Sequence, residues 1–378
     1  MAINVFVPSF HVDEILVGIR ECLEKGWTGL GFKTVEFEEA WKKYTGLPHA
    51  HFLSSNTVGL HLALHVYGLT RNWRDDDEII TTPLTFVSTN HAIMYERLKP
   101  VFADVDESLC LDPKSIEARI TPKTKAVLFV GIGGNIGQYP AVVELCKRKN
   151  LILILDAAHM SGTYVGDRHV GFDADCTVFS YQAVKNLPTS DAGMVCFNDG
   201  NLDKLARELS WLGINKDTYQ RFQGGAYKWR YDVPNVGFKY HGNSIQASIA
   251  LVQLKYLDQD NDRRRQIASL YDTLLKDASS VKRIPHSDRC KSSRHLYQIL
   301  VKNRDLVLQH FYSKEIYPGV HYVDNTEYQP YAYAHGSCPR AQAMSQELIT
   351  LPIHLKLTDE DCRAVVAALL EGIKATGG

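Results

Sequence analysis

No two of the eight cysteines stand in a CxxC spacing; they fall at 22, 110, 146, 176, 196, 290, 338 and 362, mostly in apolar or helical stretches. That scatter excludes a zinc ribbon or a disulfide framework and reads as free thiols in a reducing compartment. An excess of either charge is also missing. With 42 Lys plus Arg against 43 Asp plus Glu, the net charge of −1 leaves no basic surplus of the kind a nucleic-acid-binding face requires. Apolar runs are no longer than a strand, far short of the roughly 20 residues that span a bilayer. No basic and then apolar leader opens the chain, and repeats and low-complexity tracts are absent. The expectation is a cytoplasmic protein that binds neither nucleic acid nor membrane and holds no metal.

What is present is enough apolar material for a large core, 45% of 378 residues, which suggests two domains. Strand-like runs at 50–53, 78–81, 100–102, 125–130, 151–155, 176–180 and 193–197 alternate with helical patterns. That alternation marks an α/β fold in which helices flank a mostly parallel sheet. Apolar spacing predicts a first helix over 13–25, closed by Gly26. A long helix is expected from Ser244 to about Leu275, with Ile245, Ile249, Leu251, Leu254 and Leu257 facing inward. It would bridge a large domain, 1–250, to a smaller C-terminal α/β domain, 251–378.

The chemistry lies where two of these runs stop. Leu151 to Leu155 ends at Asp156, and the run 176–179 leads through Ser180 to Lys185. An Asp at a strand end also serves as a turn former or helix N-cap, and a loop lysine is usually solvated. Together, beyond the carboxyl ends of buried strands where ligands of open α/β sheets collect, they suit pyridoxal phosphate (PLP). Its ring needs a carboxylate at the pyridine nitrogen, and its aldehyde needs a lysine amine. Ser55, Asn56 and Thr57 precede a helical pattern and offer hydroxyls and free N–H groups to a phosphate. Ser180 adds a hydroxyl, and Phe86 is placed to stack on a ring.

The order of these parts resembles the DegT/DnrJ family of PLP-dependent sugar aminotransferases, with the aspartate aminotransferase (type I) fold. The resemblance rests on Ser54-Ser55-Asn56-Thr57, Thr85-Phe86-Val87-Ser88-Thr89, Asp156-Ala157-Ala158-His159, Ser180 to Lys185-Asn186, and Gly237-Phe238-Lys239-Tyr240. Colinear motifs near both ends extend it: Gly26-Trp27-Thr28-Gly29, Gly319-Val320-His321-Tyr322 and Leu351-Pro352-Ile353-His354. It implies a large domain built on a seven-stranded sheet, Lys185 carrying PLP, and Asp156 pairing with the ring nitrogen. His159 would lie near the ring face, Phe86 over the ring, and Ser55, Asn56, Thr57 and Ser180 at the phosphate. Lys239 would reach the phosphate of a partner subunit, so a homodimer with shared sites is implied. The reaction would run ping-pong through pyridoxamine phosphate (PMP), from L-glutamate to the 3- or 4-keto position of a dTDP-, GDP- or UDP-linked deoxysugar.

Thr28, Gly29, Lys216, Arg221, Tyr240, His321 and Tyr322 are the candidates for substrate binding. The insert 211–221 supplies cations and flat side chains for a nucleoside diphosphate, and serves equally well as a solvated hairpin. Three rival readings remain. A PLP-dependent sugar dehydratase would carry His in place of Lys185. A PLP lyase of the desulfurase kind would need a nucleophilic cysteine, for which Cys338 is the one candidate. A non-catalytic regulator or scaffold would have no need of both Asp156 and Lys185.

Overall fold

The computed structural model describes residues 2–216, 219 and 230–377. Seven strands form the central sheet: β1 (His51–Leu53), β2 (Glu78–Thr81), β3 (Lys99–Phe102), β4 (Thr124–Val130), β5 (Ile152–Asp156), β6 (Cys176–Ser180) and β7 (Gly193–Phe197). Their order is β1-β7-β6-β5-β4-β2-β3. Neighbours from β6 to β3 pair in parallel. Only β7 runs against both of its neighbours. The mixed α/β class and the mostly parallel seven-stranded sheet are those anticipated.

Alternation along β4 shows why these residues form a central strand. Val127 and Phe129 enter one apolar cluster, whereas Ala126, Leu128 and Val130 enter a second on the opposite face. A strand covered on both sides reads as a continuous apolar run, and each such side chain contributes roughly 1.5–3 kcal/mol on burial. Helix α1 (Val12–Glu24), α2 (Phe32–Thr45), α3 (Asn56–Arg71) and α4 (Val87–Tyr95) come early in the chain. Phe37 and Trp41 of α2 pack in the first cluster, and Leu60, Ala63 and Leu64 of α3 in the second.

The long helix α5 (Ser244–Leu274) starts at Asn243, whose side chain accepts the Gln246 N–H. Its inward face differs from the one expected. Leu257 is buried and Leu251 and Leu254 pack partly on the core, but Ile245 and Ile249 stay half-buried outside it. Ala247, Ser248 and Ala250 are buried instead. At Ser248 a small residue is needed because α1 comes close: a methyl group on Gly18 would stand 3.1 Å from Ser248 Cβ.

In the C-terminal third, β8 (Tyr297–Leu300) pairs antiparallel with β9 (Leu348–Leu351) and with Lys282–Arg283. Helices α6 (Arg304–Ser313) and α7 (Asp359–Ala375) cover this sheet and share a third apolar cluster with the end of α5. The chain's start is tied in as well, since Ile3–Asn4 pairs in parallel with Ile316–Tyr317. No described helix is long and apolar enough to cross a membrane.

Candidate active site

The carboxyl end of β5 places Asp156, the end of β6 places Ser180, and the turn out of β1 leads through Ser55 into α3. Gly193, at the start of β7, lets these segments close up: a Cβ there would lie 2.6 Å from the Asn56 nitrogen. Between them opens a cavity of about 450 Å³, within the usual size of a small-molecule site. It brings together Ser55, Asn56, Thr57, Phe86, Asp156, His159, Ser180, Lys185, His321 and Tyr322.

Asp156 is 3% exposed and closely held. Oδ2 accepts the Thr89 hydroxyl at 2.8 Å, while Oδ1 accepts the Ala158 N–H at 3.1 Å and Asn56 Nδ2 at 3.3 Å. Burial nevertheless outweighs these donors and raises its affinity for a proton above that of an ordinary carboxyl. The Asn56 side chain thus turns inward to brace Asp156 and the Val178 carbonyl, leaving its backbone N–H at the head of α3. Ser55 caps that helix by accepting the Val58 N–H at 3.2 Å. A helix N-terminus with neighbouring hydroxyls from Thr57 and Ser180 is a ready anion site.

Lys185 opens onto the same cavity. Burial lowers its pKa to about 8, with Asp156 acting in the opposite sense. The amine is therefore protonated below that pH and becomes a free base just above neutrality. In the apoprotein we expect an amine-directed reagent to reach half-maximal labelling of Lys185 at about pH 8, against roughly 10.4 for surface lysines. Peptide mass mapping across a pH series checks this, and a Lys185 that titrates with the surface lysines contradicts it.

Three imidazoles line the same cavity: His159, His295 and His321. His159 Nδ1 accepts the Gly133 N–H at 3.1 Å, and its Nε2 lies 3.3 Å from the Tyr322 hydroxyl. Burial holds His159 and His295 well below the usual histidine range and brings His321 down to about 4. At the mouth, Phe86 is 58% exposed, with its ring 6.0 Å from that of Tyr322. Burial keeps the Tyr322 phenol protonated well above the usual range.

Other expected residues lie elsewhere. The Thr28 and Gly29 carbonyls accept the Ser244 N–H ahead of α5, and Lys216 is exposed away from the cavity. Lys239 puts Nζ 3.2 Å from the centre of the Trp211 ring. Tyr240 stacks on Phe238 and meets His61 Nδ1 at 3.0 Å. Arg221 lies outside the described residues. Cys338 is buried, its thiol pushed up to about 12 by burial, which disqualifies it as a nucleophile. All eight cysteines are free. Among the described residues no three His, Cys, Asp or Glu side chains gather as a metal-binding group.

Sequence reading missed Thr89, Phe6 and His295. Thr89 lies in the first turn of α4, and its Oγ1 is 2.9 Å from that of Thr85, which precedes the helix. Phe6 and His295 arrive from distant parts of the chain, and nothing local marks them.

The model of the DegT/DnrJ/EryC1/StrS aminotransferase family matches residues 11–370. The chain belongs to that family. Among relatives, this aminotransferase is 32% identical to the spore coat polysaccharide biosynthesis protein SpsC of Bacillus subtilis, over 97% of this chain and 96% of that one. Among solved structures, it superposes with a TM-score of 0.91 on Helicobacter pylori PseC, an aminotransferase of pseudoaminic acid biosynthesis, at 27% identity over 99% of this chain and 100% of that one. Spr1654 of Streptococcus pneumoniae matches with a TM-score of 0.90 at 26% identity over 99% of each chain, and has been solved in PLP and PMP forms. The aminotransferase is accordingly a PLP-dependent enzyme acting on sugars. Its cavity fits the cofactor on its own terms, with a buried carboxylate short of a cation, an amine of lowered basicity and an anion-binding helix end.

Proposed function

We propose that the enzyme moves an amino group from L-glutamate to the 3- or 4-keto position of a nucleotide-linked deoxysugar, in a ping-pong cycle through PMP. The reading is carried by Asp156 and Lys185 opening into one cavity beside the head of α3. When bound, PLP supplies an aldehyde carbon that bonds to amines and a ring that takes up electrons. Asp156 holds the proton on the ring nitrogen. The Ser55, Thr57 and Ser180 hydroxyls and the α3 N–H groups bind the phosphate. Lys185 would hold the aldehyde, and its Nζ, when free, would take a proton from the donor's α-carbon as base and give it back as acid. Phe86 and Tyr322, which line the cavity, would flank the ring.

We assign residues 1–250 to the cofactor-binding domain and 251–378 to the smaller one, with α5 crossing between them. The pathway we infer is cytoplasmic synthesis of an O-antigen or other glycan sugar; SpsC and PseC support the carbohydrate setting by name. The deciding experiment incubates the protein with glutamate and a panel of dTDP-, GDP- and UDP-linked keto sugars, and weighs the products. Amination of none of them contradicts the nucleotide-sugar assignment.

The same reading includes a homodimer with shared sites. It is supported by Lys239, which is exposed and turned from its own chain's cavity, and by the apolar patch of Tyr95, Phe238 and Tyr240 around His61. Lys239→Ala should then impair the partner's phosphate site. Mixing Lys185→Ala with Lys239→Ala subunits should restore one intact site in each mixed dimer, about a quarter of wild-type activity after statistical exchange. Verified mixed dimers that stay inactive would show that each subunit works alone.

A further inference from the structure

A chain of amides behind Lys185 decides which nitrogen of His295 bears the hydrogen. The Ser161 carbonyl can only accept, and it takes an N–H of Asn261 at 2.9 Å. The Asn261 oxygen is thereby turned to accept Asn186 Nδ2 at 2.6 Å, and Asn186 Nδ2 also donates to the Ser293 carbonyl at 2.8 Å. The Asn186 oxygen is left facing His295 Nδ1 at 2.8 Å. That nitrogen must donate, so it carries the hydrogen. With the ring uncharged through burial, Nε2 keeps a bare lone pair. It has no hydrogen-bond partner among the described residues, and His295 lines the cavity that Lys185 also lines.

The ring is held in place. Phe6 stacks on it at 5.5 Å and 11°, and His159 packs against it at 4.3 Å. His159 has the opposite tautomer, because the Gly133 N–H occupies its Nδ1 and leaves the hydrogen on Nε2. Of two imidazoles in contact, one therefore presents a hydrogen to Tyr322 and the other a lone pair to the cavity.

We propose that His295 is a positioning residue for Lys185: its Nε2 accepts one N–H of the freed amine and so aims the amine's own lone pair at the substrate carbon. Asn186 supplies the orientation from the very next position in the chain. An amine with no such acceptor would sample several rotations, and misalignment at a reacting centre costs on the order of 10²-fold in rate. The proposal rests on the reading of Lys185 as the proton-moving group.

Nitrogen-15 NMR of histidine-labelled holoenzyme and apoprotein should show His295 with a pyrrole-type Nδ1 and a pyridine-type Nε2, and His159 with the reverse. His295→Phe keeps both ring contacts but removes the acceptor. It should slow the glutamate half-reaction about 10²-fold with little change in KM, and enlarge the isotope effect with α-deuterated glutamate, while the cofactor's visible band holds and Tm falls because the buried Asn186 oxygen loses its donor. His295→Gln, whose amide oxygen reaches toward the place of Nε2, should recover part of the rate. A hydrogen on His295 Nε2, or a His295→Phe enzyme with wild-type rate and isotope effect, overturns the proposal. If His295→Phe fails to fold, the His295 Nε2 resonance decides: it should shift between wild type and Lys185→Ala, and an Nε2 indifferent to that replacement overturns the proposal. A Lys185→Ala enzyme that kept its turnover would instead end the underlying reading and leave the tautomer untouched, so the two fail separately.

Discussion

Lys185→Ala abolishes turnover while leaving a protein that still takes up cofactor. The loss should approach the full catalytic effect, because one amine both holds the aldehyde and moves the proton, and among the described residues no second lysine lines the cavity. The hydroxyls of Ser55, Thr57 and Ser180 and the carboxylate of Asp156 remain, so binding should survive. The visible band of the lysine-bound cofactor should vanish, and incubation with the product amine should leave that product trapped in the site. Absorbance and mass spectrometry of the isolated variant check both outcomes. A variant that turned over at the wild-type rate would remove Lys185 from the chemistry.

Asp156→Asn should lower kcat by several orders of magnitude and leave a folded protein of lower Tm. An amide keeps the shape and can still accept from Thr89 through its oxygen, but it has no charge to hold a proton on the ring nitrogen, and electron uptake by the ring depends on that proton. Burial has already raised the carboxyl's affinity for a proton, so in the wild type the proton is shared within a strong charge-assisted pair. The amide's new N–H would also face Asn56 Nδ2, 3.3 Å away from the present oxygen, adding a donor-to-donor clash. Steady-state rates and the spectrum of the loaded variant test this. Near-normal kcat would mean that another group supports the ring.

The central sheet was legible because strands covered on both faces leave continuous apolar runs in the sequence: 176–180 and 193–197 match the observed strands residue for residue. Asp156 and Lys185 could be picked out because each follows such a run. The inward face of α5 was misread for a physical reason. Close contact with α1 selects a small residue at Ser248, and Ala247 and Ala250 enter the core cluster that also holds Phe37 and Trp41, where a periodicity count favours large aliphatic residues. What the sequence could not show is which of the site residues meet. Thr89 and Asn56 hold Asp156 across gaps of 67 and 100 positions, and Phe6 and His295 meet through tertiary packing that no local pattern encodes.

Phe6 has a practical corollary. Its ring forms part of the cavity wall, and just ahead of it the residues Ile3–Asn4 are zipped onto Ile316–Tyr317. The amino-terminal segment is therefore catalytic furniture and not a dispensable tail. Trimming it would unhook a wall of the chamber, and an affinity tag is better carried beyond α7.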